Sequence, residues 1–286
     1  MPRLPLPLRR RFIFRRTATA VLAAAGVALP VLATAGPASA DTLVRTAAPV
    51  NYVALGDSYS SGLGAGSIIS SSGSCDRSSV AYPELWASAH APASFTFVAC
   101  AGATTSTVLS TQLSALSAAT TLVSITIGGN DVGFESVMET CVLHSTSTCV
   151  SAVSTAENEV ASQLPGELDA VLAAIASHAP AAKVVVLDYP QLYDLSRSSL
   201  CIGLSTTDRT DLNQAANLLD AQIQAAAARH GDTFVDVRGV FTGHQNCDGS
   251  SSWLHAVNIL DISESYHPTA TGQSSGYLPV FTTAAG

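Results

Sequence analysis

Tyr52-Val53-Ala54-Leu55-Gly56-Asp57-Ser58-Tyr59-Ser60-Ser61-Gly62 joins two kinds of sequence back to back. Its first half is a short apolar run that reads as a buried β-strand. Its second half, rich in Gly, Asp and Ser, is poorly tolerated inside either a strand or a helix. A strand that stops at Gly56-Asp57-Ser58 leaves a hydroxyl at its carboxyl end, which is where open α/β sheets bind ligands. A serine alone is a weak nucleophile and needs a base. Ser265-Tyr266-His267-Pro268-Thr269, far along the chain, offers one.

The segments between these two points set the fold class. Residues 95–99, 122–127, 183–188 and 233–237 read as further strands, of which Leu122-Val123-Ser124-Ile125-Thr126-Ile127 is the clearest. Residues 82–90, 107–116, 156–178 and 207–230 carry apolar side chains at helical spacing, the third stretch re-starting at Pro165-Gly166. A last helix is expected after Pro268. Residues 60–79 read as a long Ser- and Gly-rich loop, and residues 134–154 as irregular and disulfide-bound. Strands that alternate with helices predict a parallel sheet of about five strands in a three-layer α/β/α sandwich.

The first 40 residues stand apart from this pattern. Arg3, Arg9, Arg10, Arg11, Arg15 and Arg16 lead into an apolar, Ala-rich segment, and Ala38-Ser39-Ala40 follows as a small-residue cleavage site. This is the pattern of a secretory signal peptide, cut near Ala40. Arg9-Arg10-Arg11-Phe12-Ile13 partly resembles a twin-arginine export signal, but the extra arginines leave the export route open. Residues 41–286 are then expected to form one secreted domain. Six of the 13 basic residues and none of the 21 acidic ones lie in residues 1–40, so the rest carries 7 − 21 = −14. Such a surface argues against a nucleic-acid partner. No later apolar run is long enough to span a bilayer, and a monomer is expected.

All six cysteines follow Ala40: Cys75, Cys100, Cys141, Cys149, Cys201 and Cys247. An even number in an exported chain points to disulfides. They fall into three successive couples, which favours Cys75–Cys100, Cys141–Cys149 and Cys201–Cys247.

Three of the strands end in short glycine-containing turns: Gly56-Asp57-Ser58, Gly102 and Gly128-Gly129-Asn130-Asp131. A parallel sheet brings all three to one edge. Ester hydrolysis through serine needs a nucleophile, a base and donors aimed at the developing oxyanion. Ser58 can be the nucleophile. The N–H groups of Ser58 and Gly102 and the amide of Asn130 can be the donors, glycine at 102 allowing close backbone approach. His267 is the base placed near a turn, with Pro268 after it to start a helix. Asp57 is expected to be a structural acceptor of backbone N–H groups. The other histidines (His90, His144, His178, His230, His244 and His255) show no ligand spacing, and no metal or other cofactor is expected. Ile68-Ile69, Val132 and Phe134 flank these turns, either to hold an acyl chain or as ordinary core.

Gly56-Asp57-Ser58, Gly102, Gly129-Asn130-Asp131 and His267-Pro268 together resemble the four blocks of the SGNH (GDSL-type) hydrolase family, in the right order and across nearly the whole mature chain. With the three cysteine couples, the chain is most similar to the secreted actinobacterial lipases, esterases and phospholipases A1 of that family. The resemblance implies a flavodoxin-like sandwich, Ser58 as nucleophile, His267 as general base, and Ser58, Gly102 and Asn130 as the oxyanion hole. It departs from the family at one point. The usual acid three residues before the histidine is Asp, and here it is Glu264. In the secreted actinobacterial branch a main-chain carbonyl two residues before the histidine can orient it instead. Here that is Ser265, the reading favoured over Glu264.

The expected function is hydrolysis of lipid acyl esters through an acyl-enzyme. Deacetylation of polysaccharides is the alternative within the same chemistry. A metal-dependent phosphoesterase fits less well, because no early Asp-x-His or set of His and Asp ligands is present. A non-catalytic binding module would have no reason to keep every catalytic residue type.

Overall fold

Tyr52, Val53 and Ala54 are buried, and with Asn51 they form β1 (Asn51–Ala54). The structure, a computed structural model, describes residues 49–200, 204–257 and 262–286. All of these lie in one compact unit, Ala47–Gly286. The proposed signal segment, residues 1–40, lies outside the described residues.

Four further strands join β1 in one parallel sheet: β2 (Ser94–Phe97), β3 (Leu122–Ile125), β4 (Lys183–Leu187) and β5 (Thr233–Val235), in the order β2-β1-β3-β4-β5. Every residue of β3 and Val184 to Leu187 of β4 are buried. Strands that are apolar throughout must be covered on both faces, and helices cover them. The helices, in chain order, are α1 (Ser58–Ser61), α2 (Tyr82–His90), α3 (Thr105–Thr107), α4 (Phe134–Leu143), α5 (Thr146–Ser162), α6 (Leu164–His178), α7 (Thr206–His230) and α8 (Leu278–Ala285). α2 packs on α8, and α8 packs on β4 and β5. α6 packs on α7, which also meets β4 and β5. The strand order is that of flavodoxin-like sheets, which bind ligands beyond the carboxyl ends of β1 and β3, where the order reverses.

Local sequence explains most of the helix ends. Ser205 caps α7 by accepting from the Asp208 N–H, while the Asp208 carboxylate accepts from the Ser205 N–H. Gly231, with φ of +73°, ends that helix. α5 stops at Ser162 and α6 re-starts with Pro165 in its first turn, as the Pro165-Gly166 pair predicted. The expected helix over residues 107–116 is a short α3 followed by a wide π turn (Val108–Gln112) and a 3-10 turn (Leu113–Ala115).

Residues 134–154 correct the sequence reading. They are not irregular: they form α4 and the first half of α5, a helical hairpin joined by the Cys141–Cys149 disulfide. Met138 and Cys141 on α4, and Cys149, Val153, Ala156 and Val160 on α5, are buried at helical spacing. Exposed Ser, Thr and Glu between them mask that pattern. Ser145 starts α5 by accepting from the Thr148 N–H. Under the hairpin lies a second small core that includes Leu192, Tyr193, Leu212 and Tyr266.

The Cys75–Cys100 disulfide is also formed. Cys247 is disulfide-bonded, and its expected partner, Cys201, lies outside the described residues. The Cys75–Cys100 bridge spans 25 residues. A Cys75→Ser/Cys100→Ser variant is therefore expected to lose about 3 kcal/mol of stability, read as a lower urea midpoint. An unchanged midpoint would show that the bridge is dispensable.

Candidate active site

The end of β1 is shaped by one glycine. Gly56 has φ of +122°, and a Cβ there would sit 2.5 Å from the Thr126 carbonyl oxygen, so a side chain is excluded twice over. The buried Gln112 amide grips this turn from both sides: the Gly56 N–H donates to Oε1 and the Gln112 Nε2 donates to the Gly56 carbonyl, each at 2.8 Å. The chain then turns directly into α1, whose first residue is Ser58 and whose cap is Asp57.

Asp57 is the structural acceptor anticipated from sequence. One carboxylate oxygen accepts from the Tyr59 N–H at 3.0 Å and from the Thr126 hydroxyl at 2.7 Å. The other accepts from the Tyr189 hydroxyl. Burial pushes its carboxyl up to about 6, and the hydrogen bonds from Tyr189 and Thr126 hold back a larger rise.

His267 comes to Ser58 from the other end of the chain. Its Nε2 lies 2.7 Å from the Ser58 Oγ, and both residues are nearly buried, at 8% and 6% exposure. The approach depends on Tyr266, which takes φ of +68°, a left-handed conformation unusual for an aromatic residue. Tyr266 is held on three sides. Its N–H donates to the His255 carbonyl, its own carbonyl accepts from the Tyr59 hydroxyl at 3.0 Å, and its hydroxyl meets that of Tyr193 at 2.6 Å. The His255 N–H in turn donates to the His267 carbonyl, and the His255 ring is satisfied by the Gly64 carbonyl at 2.6 Å.

Burial drives the His267 imidazole down to about 4; the Ser265 main-chain carbonyl is the largest influence in the other direction, ahead of those of Glu264 and Ser263. Among the described residues His267 Nδ1 has no hydrogen-bond partner of good geometry, so the Glu264 carboxylate does not hold it. Glu264 engages the histidine only through its main-chain carbonyl, which accepts the His267 N–H at 3.2 Å.

The other two turns meet beside Ser58. Asn130 Nδ2 donates to the Ala103 carbonyl at 2.9 Å, and the Asp131 carboxylate accepts from the Thr105 N–H and hydroxyl. These bonds lock the turn after β3 to the turn that carries Gly102. At Gly102 the glycine is required by its φ of +73°, since a Cβ there would meet nothing within 4 Å. Among the described residues, the N–H groups of Ser58 and Gly102 have no hydrogen-bond acceptor. Ser58, His267, Gly102 and Asn130 thus line one cleft, together with Asp76 and Glu135. Ser58 and Asn130 also border an apolar cavity walled by Val132, Phe134, Val160, Leu212 and Leu219. Phe134 and Met138 border both spaces. Ile68 is instead 44% exposed and takes no part in either wall.

The model of the GDSL-like lipase/acylhydrolase family matches residues 54–274, a span that contains all three turns and the histidine. The chain belongs to this family. A family member named Lipase 1, from Streptomyces coelicolor, is 56% identical over 276 residues, covering 96% of this chain and all of its own. The crystal structure of phospholipase A1 from Streptomyces albidoflavus superposes with a TM-score of 0.81 at 54% identity, over 83% of this chain and 100% of that one. The structure of an extracellular lipase from Streptomyces rimosus gives 0.80 at 51% identity, over 82% and 99%. As a member of this family, the protein is a carboxylic ester hydrolase.

The supporting roles of Gln112, Tyr59 and Tyr189 escape the sequence reading; Asp131 reads only as part of the turn after β3, and His255 only as a histidine without ligand spacing. Among the described residues, no group of three or more His, Cys, Asp or Glu side chains is arranged to hold a metal ion, and no helix is long and apolar enough to cross a membrane.

Proposed function

We propose that this family member hydrolyses acyl esters of lipids, with Ser58 as nucleophile and His267 as general base. The observation that carries this reading is the 2.7 Å Ser58–His267 contact beside an apolar cavity that Ser58 itself lines. An acyl chain fits the apolar side, and the alcohol portion faces the polar cleft. The Ser58 Oγ attacks the ester carbonyl carbon as its proton passes to His267 Nε2. The developing oxyanion is received by the N–H groups of Ser58 and Gly102 and by the Asn130 amide. The carbonyl–alcohol bond then breaks, and His267 returns its proton to the departing alcohol oxygen. Water repeats the sequence on the acyl-Ser58 ester, which releases the acid and restores the serine hydroxyl.

A chain-length series of p-nitrophenyl esters, run beside a triglyceride and a phospholipid, tests the substrate class. Rates that rise from acetyl to medium or long acyl groups are expected from the cavity. A strict preference for acetyl would favour the polysaccharide deacetylase instead. Secretion after cleavage near Ala40 belongs to the same proposal. It predicts that N-terminal sequencing of protein from the culture medium begins at Asp41.

Three observations support the Ser265 carbonyl, rather than Glu264, as the group that steadies His267 during proton transfer. Among the described residues no carboxylate meets Nδ1, the Ser265 carbonyl is the strongest influence favouring the protonated ring, and Glu264 is engaged through its backbone. Loss of the acid from a true triad costs on the order of 10⁴ in rate. Glu264→Gln is therefore expected to lower kcat by less than about tenfold, far short of that loss. A fall of about a thousandfold with circular dichroism unchanged would restore the carboxylate to the machinery.

A further inference from the structure

The turn after β1 carries Ser58, and the turn after β3 carries Asn130. They belong to neighbouring strands, and each places a donor or nucleophile at the same point. Their relative position must be held to a fraction of an ångström for the oxyanion to be met. The main-chain ladder ends short of that point: the last bond between the two segments is the Asp57 N–H to the Thr126 carbonyl, at 3.0 Å. Beyond it, Gly129 has no main-chain acceptor for its N–H, and the Asp57 carboxylate turns one oxygen into the interior.

Tyr189 stands where these two groups face each other. It follows β4, its own N–H is held by Asp220 Oδ1 at 3.2 Å, and Pro190 stiffens the chain after it. Its ring is buried and packs edge-on against Tyr59 at 4.9 Å between centroids. The hydroxyl accepts from the Gly129 N–H at 3.2 Å and donates to Asp57 Oδ2. Burial beside the Asp57 carboxylate raises the phenol well above its ordinary value, so it stays a donor across the working pH range.

We propose that Tyr189 is a positioning residue, whose single hydroxyl pins the nucleophile turn (through Asp57) to the oxyanion turn (through Gly129). This rests on the roles given above to Ser58 and Asn130. A phenol suits the task because it both accepts and donates, and a rigid ring sets where it does so. The ring also contributes to the apolar cavity. Ring and hydroxyl are therefore separable: the ring contacts the acyl chain, and the hydroxyl sets the geometry of the reacting groups.

Tyr189→Phe keeps the ring and removes only the bridge. With a soluble p-nitrophenyl ester it is expected to lower kcat by about 10- to 100-fold, less than or comparable to losing an oxyanion donor outright. KM should stay within about twofold, because the cavity wall is unchanged. Asp57→Asn should lower kcat as well, and the double variant should fall short of the product of the two effects, because both act through one bond. An unchanged kcat, a rise in KM alone, or fully multiplicative effects would each overturn the proposal. If Tyr189→Phe does not fold, amide hydrogen exchange in the unmodified protein decides. Protection of the Gly129 N–H comparable to that of strand amides supports the bridge, and exchange at the rate of an open turn overturns it. A separate Ser58→Ala measurement keeps the two ideas apart. An active Ser58→Ala refutes the functional reading, whereas an inactive one beside a fully active Tyr189→Phe refutes only the bridge.

Discussion

Ser58→Ala is expected to lower kcat on every ester by on the order of 10⁶, the scale seen when a serine hydrolase loses its nucleophile. The fold should be unaffected. The Ser58 side chain makes one hydrogen bond, to His267, and α1 is capped by Asp57 rather than by Ser58 itself. Near-ultraviolet circular dichroism and the melting temperature should therefore match those of the unmodified protein. A serine-reactive phosphonate should label Ser58 alone in the unmodified protein and leave the variant unlabelled. Label on another serine, or residual activity within about a hundredfold of the original, would falsify the assignment.

His267→Ala is expected to cost a comparable factor, because without the base the Ser58 hydroxyl keeps its proton. The unmodified protein offers a finer test. A general base works only when unprotonated, so activity is lost as pH falls through the imidazole's own value. Burial lowers that value from the ordinary 6.5 to about 4. The acid limb of kcat/KM should accordingly have its midpoint near pH 4, with activity held through pH 5 to 6, where an ordinary histidine would already be titrating. A midpoint near 6 or above would overturn the expectation that burial holds His267 well below its ordinary value.

Both residues were readable in the sequence because their settings are local. A hydrophobic strand that breaks into Gly-Asp-Ser, or a histidine followed by proline, announces itself within a few positions. The sheet was legible for the same reason, through short apolar runs, those of β1 and β3 closed by glycine. The α4–α5 hairpin was not, since its buried Met138, Cys141, Cys149 and Val153 are separated by exposed Ser, Thr and Glu and interrupted by a turn. The supporting network was invisible for a different reason. Gln112 reaches Gly56, 56 positions away; Tyr189 reaches Asp57, 132 away; and Tyr59 reaches Tyr266, 207 away. A side chain that satisfies a distant backbone group leaves no local periodicity or composition. Only the topology of the sheet brings the partners together.

The two spaces lined by Ser58 impose an order of traffic. With an acyl chain lodged among Val160, Leu212 and Leu219, the apolar cavity stays filled from the first bond cleavage to the last. On the proposed reading the alcohol then departs, and water arrives, through the polar cleft bounded by Gly102, Asn130 and His267. Exit and entry share a doorway, so a slow-leaving alcohol stands where the incoming water must stand, and can attack the acyl group again before it is replaced. Turnover then follows how quickly the alcohol clears the doorway. A small added alcohol such as methanol would queue there with water and leave as its own ester.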